Sequence, residues 1–78
     1  MTKGTVIKEI KRNDNPLMIN TTANSELTYK VIRVNPKTYT LRCIEGYMKG
    51  SECKLYKNYK EEHKDVYGTI TKWVIVEA

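Results

Sequence analysis

Residues 27–44, LTYKVIRVNPKTYTLRCI, decide the fold. Two runs rich in β-branched and aromatic residues flank Asn35-Pro36-Lys37-Thr38, and such runs around a turn tetrapeptide specify a β-hairpin. Pro36 presets φ for the first central position of the turn, Lys37 takes the second, and the Asn35 side chain can accept a local hydrogen bond. A two- or four-residue loop places Val34 opposite Tyr39, Ile32 opposite Leu41 and Lys30 opposite Cys43 on one face, expected to be the core face. The other face then pairs Arg33 with Thr40, Val31 with Arg42 and Tyr29 with Ile44, and is mixed in character. A three-residue loop with a bulge would reverse the parity of one strand, because side chains alternate with a period of two.

On the N-terminal side, residues 4–12, GTVIKEIKR, alternate loosely, with Val6 and Ile10 on one side and Thr5, Ile7 and Glu9 on the other, and predict a first strand. Asn13-Asp14-Asn15-Pro16 is a dense turn signal, followed by a short apolar run at Leu17-Met18-Ile19 that predicts a second, short strand. Residues 21–25, TTANS, read as a loop leading into the hairpin. On the C-terminal side, residues 47–51 read as a loop, with Gly46 and Gly50 suited to positive φ. Residues 52–65, ECKLYKNYKEEHKD, fit either a short helix, with Ser51 as N-cap and Cys53, Tyr56 and Tyr59 or Lys60 at helical spacing, or a strand pair with a charged tip. Residues 69–76, TITKWVIV, form a terminal strand whose apolar residues on both faces from Trp73 onward predict cover on both sides. The expectation is therefore one small domain over residues 1–78. It is all-β, with room for one short helix, and is either a curled five-stranded sheet or a barrel of the SH3-like or OB-like kind.

The hairpin segment Tyr29-Lys30-Val31-Ile32-Arg33-Val34-Asn35-Pro36-Lys37-Thr38-Tyr39-Thr40-Leu41 resembles the central hairpin of small SH3-like barrel proteins, among them uncharacterised short proteins of bacteriophages and prophages. The resemblance implies a fold and carries no functional residues with it.

Bulk properties narrow the function. Seventy-eight residues lie near the lower limit for a self-sufficient hydrophobic core. The longest apolar run, Trp73-Val74-Ile75-Val76, is far short of the roughly 20 residues that span a bilayer. No signal-peptide pattern follows Met1, so a cytoplasmic protein is expected, in the host cytoplasm if it is phage-encoded, and the Asn20-Thr21-Thr22 glycosylation pattern has no meaning there. Fourteen Lys plus Arg against nine Asp plus Glu give a net charge of +5, which suits an anionic partner. Abundant Lys, Asn, Ile and Tyr with no Phe is also the usage of an AT-rich coding sequence, which explains part of that charge without function.

Catalysis and metal binding are not expected, and no cofactor is implied. The single histidine, His63, sits in a charged run, Glu61-Glu62-His63-Lys64-Asp65, that reads as a solvated face, and no motif for phosphate, calcium or zinc is present. Cys43, Cys53 and His63 are too few and too scattered for structural zinc. The two cysteines read as reduced thiols, with Cys43 packing in the core.

The residues with chemistry to offer are cationic and aromatic. Arg33 and Arg42, diagonal neighbours in the expected register, could clamp phosphates or stack on a base near Tyr29, or could be an ordinary solvated face balanced by Glu26 or Glu45. Lys54, Lys57 and Lys60 interleave with Tyr56 and Tyr59 in a pattern suited to stacking and phosphate neutralisation on single strands. The leading expectation is a non-enzymatic binding module contacting nucleic acid through Arg33, Arg42, Lys54, Lys57, Lys60, Tyr56 and Tyr59. The alternative is a phage-type inhibitor or adaptor that binds a host protein through an edge strand or a tyrosine-rich surface. A third reading is a subunit whose core is completed by oligomerisation.

Overall fold

The computed structural model describes residues 1–13 and 24–78. Six strands form one antiparallel sheet: β1 (Val6–Asn13), β2 (Ser25–Val34), β3 (Thr38–Glu45), β4 (Glu52–Tyr56), β5 (Glu62–Lys64) and β6 (Thr69–Glu77). Their order across the sheet is β4-β3-β2-β1-β6-β5. The expected all-β class holds, with no helix among the described residues. Four of the expected strands are β1, β2, β3 and β6, and residues 52–65 add two more, β4 and β5. These do not pair with each other: β4 joins β3 and β5 joins β6. The short strand expected at residues 17–19 lies outside the described residues.

Connectivity forces this sheet to curl. β4 and β5 occupy opposite edges, yet only residues 57–61 separate them in the chain. Five inter-strand spacings in a flat sheet amount to about 24 Å, whereas the six Cα steps from Tyr56 to Glu62 reach about 21 Å even when fully extended. The connection is not extended, since the Tyr59 amide donates to the Tyr56 carbonyl at 3.1 Å. The two edges must therefore approach, and the sheet forms a half-barrel whose edges are tethered without being hydrogen-bonded to each other.

The central hairpin turns at Pro36-Lys37 as expected, but the Asn35 side chain serves it as a donor and not as the expected acceptor. The Asn35 amide donates to the Thr38 carbonyl at 2.8 Å, and the Asn35 side-chain nitrogen donates to the hydroxyls of Thr38 and Thr40 at 3.0 Å each. Arg33 accordingly faces Thr40 and Val34 faces Tyr39, as the turn dictates. Deeper in the hairpin the register differs from expectation. Irregularities fall between Val31 and Arg33 and between Thr28 and Tyr29, so that Val31 faces Leu41, Lys30 faces Arg42 and Tyr29 faces Cys43. One extra residue at Ile32 reverses the parity of the rest of β2, although the loop itself has two residues. A bulge adds right-handed twist, which the Pro36-Lys37 turn, without the positive φ of the favoured hairpin turns, supplies poorly.

The bulge redistributes the core. Tyr39, Leu41 and Cys43 point inward as expected, but their β2 partners are Leu27, Tyr29 and Val31, with Ile7 of β1 completing the cluster. Ile32 is half-buried, Val34 is 43% exposed at the end of the hairpin, and Lys30 is exposed on the outward face. Ile7, Val31 and Leu41 are fully buried, each contributing about 1.5–3 kcal/mol of transfer free energy. Residues 1–5 cover one end of this core: the Gly4 amide donates to the Val31 carbonyl and the Val31 amide to the Thr5 carbonyl, both at 2.8 Å. Met1 packs against the same cluster.

Two further features bear on the surface. Gly46, at φ +119°, follows β3 in the left-handed region, and a Cβ there would lie 2.5 Å from Leu27 Cδ2 and 3.0 Å from the Glu26 carbonyl oxygen. The terminal strand is not covered on both sides as its composition predicts: Val74, Ile75 and Val76 are 37%, 51% and 57% exposed. β5 pairs only with residues 70–72, so the edge of β6 beyond Trp73 has no strand beside it among the described residues.

Candidate functional site

The half-barrel is only partly filled. Alternation places Ile7, Glu9 and Lys11 of β1 on the inward side, and the register carries that side across to Thr71, Trp73 and Ile75 of β6 and to His63 of β5. The end of the interior occupied by Ile7, Val31 and Leu41 is solid core. The other end is an open groove of about 500 Å³, lined by Glu9, Lys11, Thr71, Trp73 and His63 on one side and by residues of β4 and the 57–61 tether on the other. That volume falls within the ~300–1,000 Å³ range of ligand sites.

Aromatic rings pack the back of the groove. Trp73 meets Tyr29 with ring centroids 5.9 Å apart and meets Tyr59 edge-on at 6.2 Å. These are favourable aromatic geometries, and the second pins the tether to β6, as does the 2.7 Å hydrogen bond from the Trp73 amide to the Glu61 carbonyl. Tyr59 is half-buried and Tyr56 is 67% exposed at the groove's rim.

The electrostatics combine a cationic rim with one inward carboxylate. Lys11, Lys54, Lys60 and His63 line the groove, and none of the three lysines takes part in an ion pair among the described residues. Glu9 sits between Leu27 and Trp73 across the ladder. Burial raises its pKa above the ordinary carboxylate value, with Lys11 and His63 pulling the other way. Burial likewise raises the Tyr29 hydroxyl strongly, reinforced by the Glu9 charge. The Cys53 thiol is raised by desolvation and then by Glu9 and Cys43, partly offset by a hydrogen bond with Tyr29. A raised thiol is a poor nucleophile at neutral pH. Tyr59 is raised by burial and by Glu61.

The seven residues singled out in the sequence are divided between surfaces. Lys60 and Tyr59, on the tether, line the groove, whereas Lys54 and Tyr56 border it from the edge strand β4, where they pair with Thr40 and Thr38 on the convex side of the ladder and leave Cys53 and Leu55 as the inward residues of that strand. Lys57 turns away from the groove: its ammonium lies 5.4 Å from the centroid of Tyr39 in a cation–π contact. Arg33 and Arg42 both lie on the convex face, Arg33 opposite Thr40 and Arg42 opposite Lys30. Arg42 donates to Glu52 at 2.8 Å rather than standing open. Glu26, considered as its counter-charge, instead holds Arg12 at 3.2 Å and Lys8 at 3.9 Å. Tyr29, expected beside the arginines, is buried in the concave face.

Glu9, Lys11, Trp73 and Thr71 were not singled out for the site. Their presence depends on β1 pairing with β6 across some 60 residues of sequence, and only the apolar-polar alternation of residues 4–12 hinted that Glu9 shares a face with Ile7. His63, read as part of a solvated face, is exposed as expected and also borders the groove. Among the described residues no cluster of acidic, histidine and cysteine side chains is arranged to hold a metal ion. Comparison of the chain with protein-family models, with curated proteins and with solved structures finds no match in any of the three.

Proposed function

We propose that the chain is a non-enzymatic module that binds single-stranded nucleic acid in the concave groove. The observation that carries this reading is the convergence of Lys11, Lys60 and His63 with Tyr59 and Trp73 around one open channel, with Lys54 and Tyr56 at its β4 rim. Phosphates follow a cationic track while bases stack on aromatic faces, the arrangement common to sequence-tolerant single-strand binders. A single strand can lay its bases against the aromatic wall, whereas a duplex, with its bases stacked inside, would leave that wall unused. Arg33 contributes only as a convex-face cation, and Arg42 only after giving up Glu52.

Fluorescence anisotropy with labelled single strands across a salt series tests the proposal. Binding that weakens linearly in log salt, and that Lys54→Glu with Lys60→Glu reduces, supports it. No binding at low salt overturns it.

A second reading, a protein adaptor, is favoured by one specific observation: the edge of β6 beyond Trp73 is open and carries exposed Val74, Ile75 and Val76. An unpaired apolar edge is a template for strand addition. A pull-down from lysate with and without nuclease separates the two readings, since a protein partner recovered equally in both favours the adaptor.

A further inference from the structure

Glu9 is out of place in a groove built only for phosphates. It lies on the inward side of β1, next to Trp73 in the ladder and two residues from Lys11 on the same face, and it lines the channel with Lys11, Lys54, Lys60 and His63. Its carboxylate belongs to none of the ion pairs among the described residues. A half-buried anion there repels a phosphate backbone, and although the charges of Lys11 and His63 act on it, neither forms an ion pair with it among the described residues, which leaves its oxygens open to donors from a bound partner.

An ionised carboxylate is an acceptor with two oxygens, and the group it complements best is a pair of adjacent N–H donors. Among the nucleobases only guanine presents such a pair, the N1 imino and N2 amino hydrogens of its Watson–Crick edge. Adenine and cytosine offer one amino group beside a ring nitrogen whose lone pair faces a carboxylate unfavourably. Thymine and uracil offer a single N–H between two carbonyls. Lys11, on the same face, adds a donor for the guanine O6, and the Trp73 and Tyr59 rings beside Glu9 offer the π-faces against which a splayed base stacks.

We propose that Glu9, with Lys11 and Trp73 beside it, makes the groove a guanine-selective site for single-stranded nucleic acid; the proposal rests on the nucleic-acid reading above. Phosphate contacts at Lys54 and Lys60 position the strand, and Glu9 selects the base, the division of labour general to nucleic-acid recognition.

Anisotropy titrations with short labelled thymidine oligonucleotides carrying a single central guanine, adenine, cytosine or thymine test it at one fixed, low salt. The guanine oligonucleotide is expected to bind about tenfold more tightly than the thymine one, the scale of a bidentate base contact. Glu9→Gln is expected to erase that preference while keeping or strengthening binding of the all-thymine strand, with Glu9→Asp as a second variant of retained charge and weaker selectivity. Circular dichroism confirms that each variant is folded. Measurable but equal affinity for all four oligonucleotides overturns the guanine site and leaves the phosphate groove standing. A guanine preference unchanged in Glu9→Gln overturns the role of Glu9. Absence of binding to any of the four at low salt overturns the groove reading itself.

Discussion

The concave and convex faces of the sheet are both cationic, but they dispose of that charge differently. On the convex face Arg42 is held by Glu52, and Arg12 and Lys8 by Glu26. Exposed pairs of this kind contribute about 0–1 kcal/mol each, while Lys30 and Arg33 on the same face stand outside the ion pairs, and without a cation–π contact, among the described residues. On the concave side Lys11 and Lys60, with Lys54 at the rim, are outside any described ion pair and border Tyr59 and Trp73. Positive charge is thus a property of the whole chain, whereas unneutralised charge beside aromatic rings in a channel belongs to one face. The difference teaches that a net charge of +5 says little about where a partner binds until the carboxylates have been assigned.

The comparison can be broken most forcefully through stability. Leu41→Ala removes a fully buried concave side chain and is expected to cost about 3 kcal/mol in urea unfolding, while Arg42→Ala on the opposite face of the same strand costs under about 1 kcal/mol. Equal losses would mean that the convex face is also an interior. Gly46→Ala is expected to cost about 2 kcal/mol, because it combines a left-handed φ with a Cβ placed against Leu27 and the Glu26 carbonyl; a thermal melt within a degree of the parent protein would refute that conformation.

Binding sharpens the contrast. Lys54→Glu with Lys60→Glu is expected to weaken single-strand affinity by about tenfold or more and to flatten its salt dependence, whereas Arg33→Ala with Arg42→Ala changes it by less than about threefold. The reverse ranking would move the interface to the convex face.

The smallest effect concerns Glu9 and pH. Its folded pKa is raised by burial, so between the ordinary carboxylate value and the raised one the folded state binds more protons than the unfolded state, and stability rises as pH falls through that window. Glu9→Gln is therefore expected to be more stable than the parent at pH 7, by under about 1 kcal/mol given the partial exposure of the group, with the difference fading toward about pH 4. Parallel denaturation curves at the two pH values check the sign.

Much of this was legible locally and the rest was not, for reasons that can be named. Asn35-Pro36-Lys37-Thr38 declared the turn, and the alternation of Tyr39, Leu41 and Cys43 declared the inward face of β3 correctly. The bulge at Ile32 left no trace, because Val31 and Ile32 are both β-branched and suit the interior equally well, so only the pairing with β3 decides which one enters. The expected cover over Val74–Val76 failed because hydrophobicity on both faces signals a capacity for burial and not its fulfilment. In the site, interleaved lysine and tyrosine pointed to Lys54, Lys60, Tyr56 and Tyr59. Lys57 shares that spacing but lies over Tyr39. Trp73, Glu9 and Lys11 join the site through strand pairing at long range, which no local pattern encodes.

The pairing of β1 with β6 has a consequence for how the molecule comes into being. β1 through β3 contain the whole buried cluster and, with β4, can pair among themselves as the chain emerges, but one wall of the groove is β6, whose ladder to β1 joins the most widely separated of the paired strands. Such contacts carry the largest loop-closure cost and form late. A nascent chain lacking β6 would therefore own a core before it owned a channel, and the ability to engage a partner in that channel would appear only once β6 had been made.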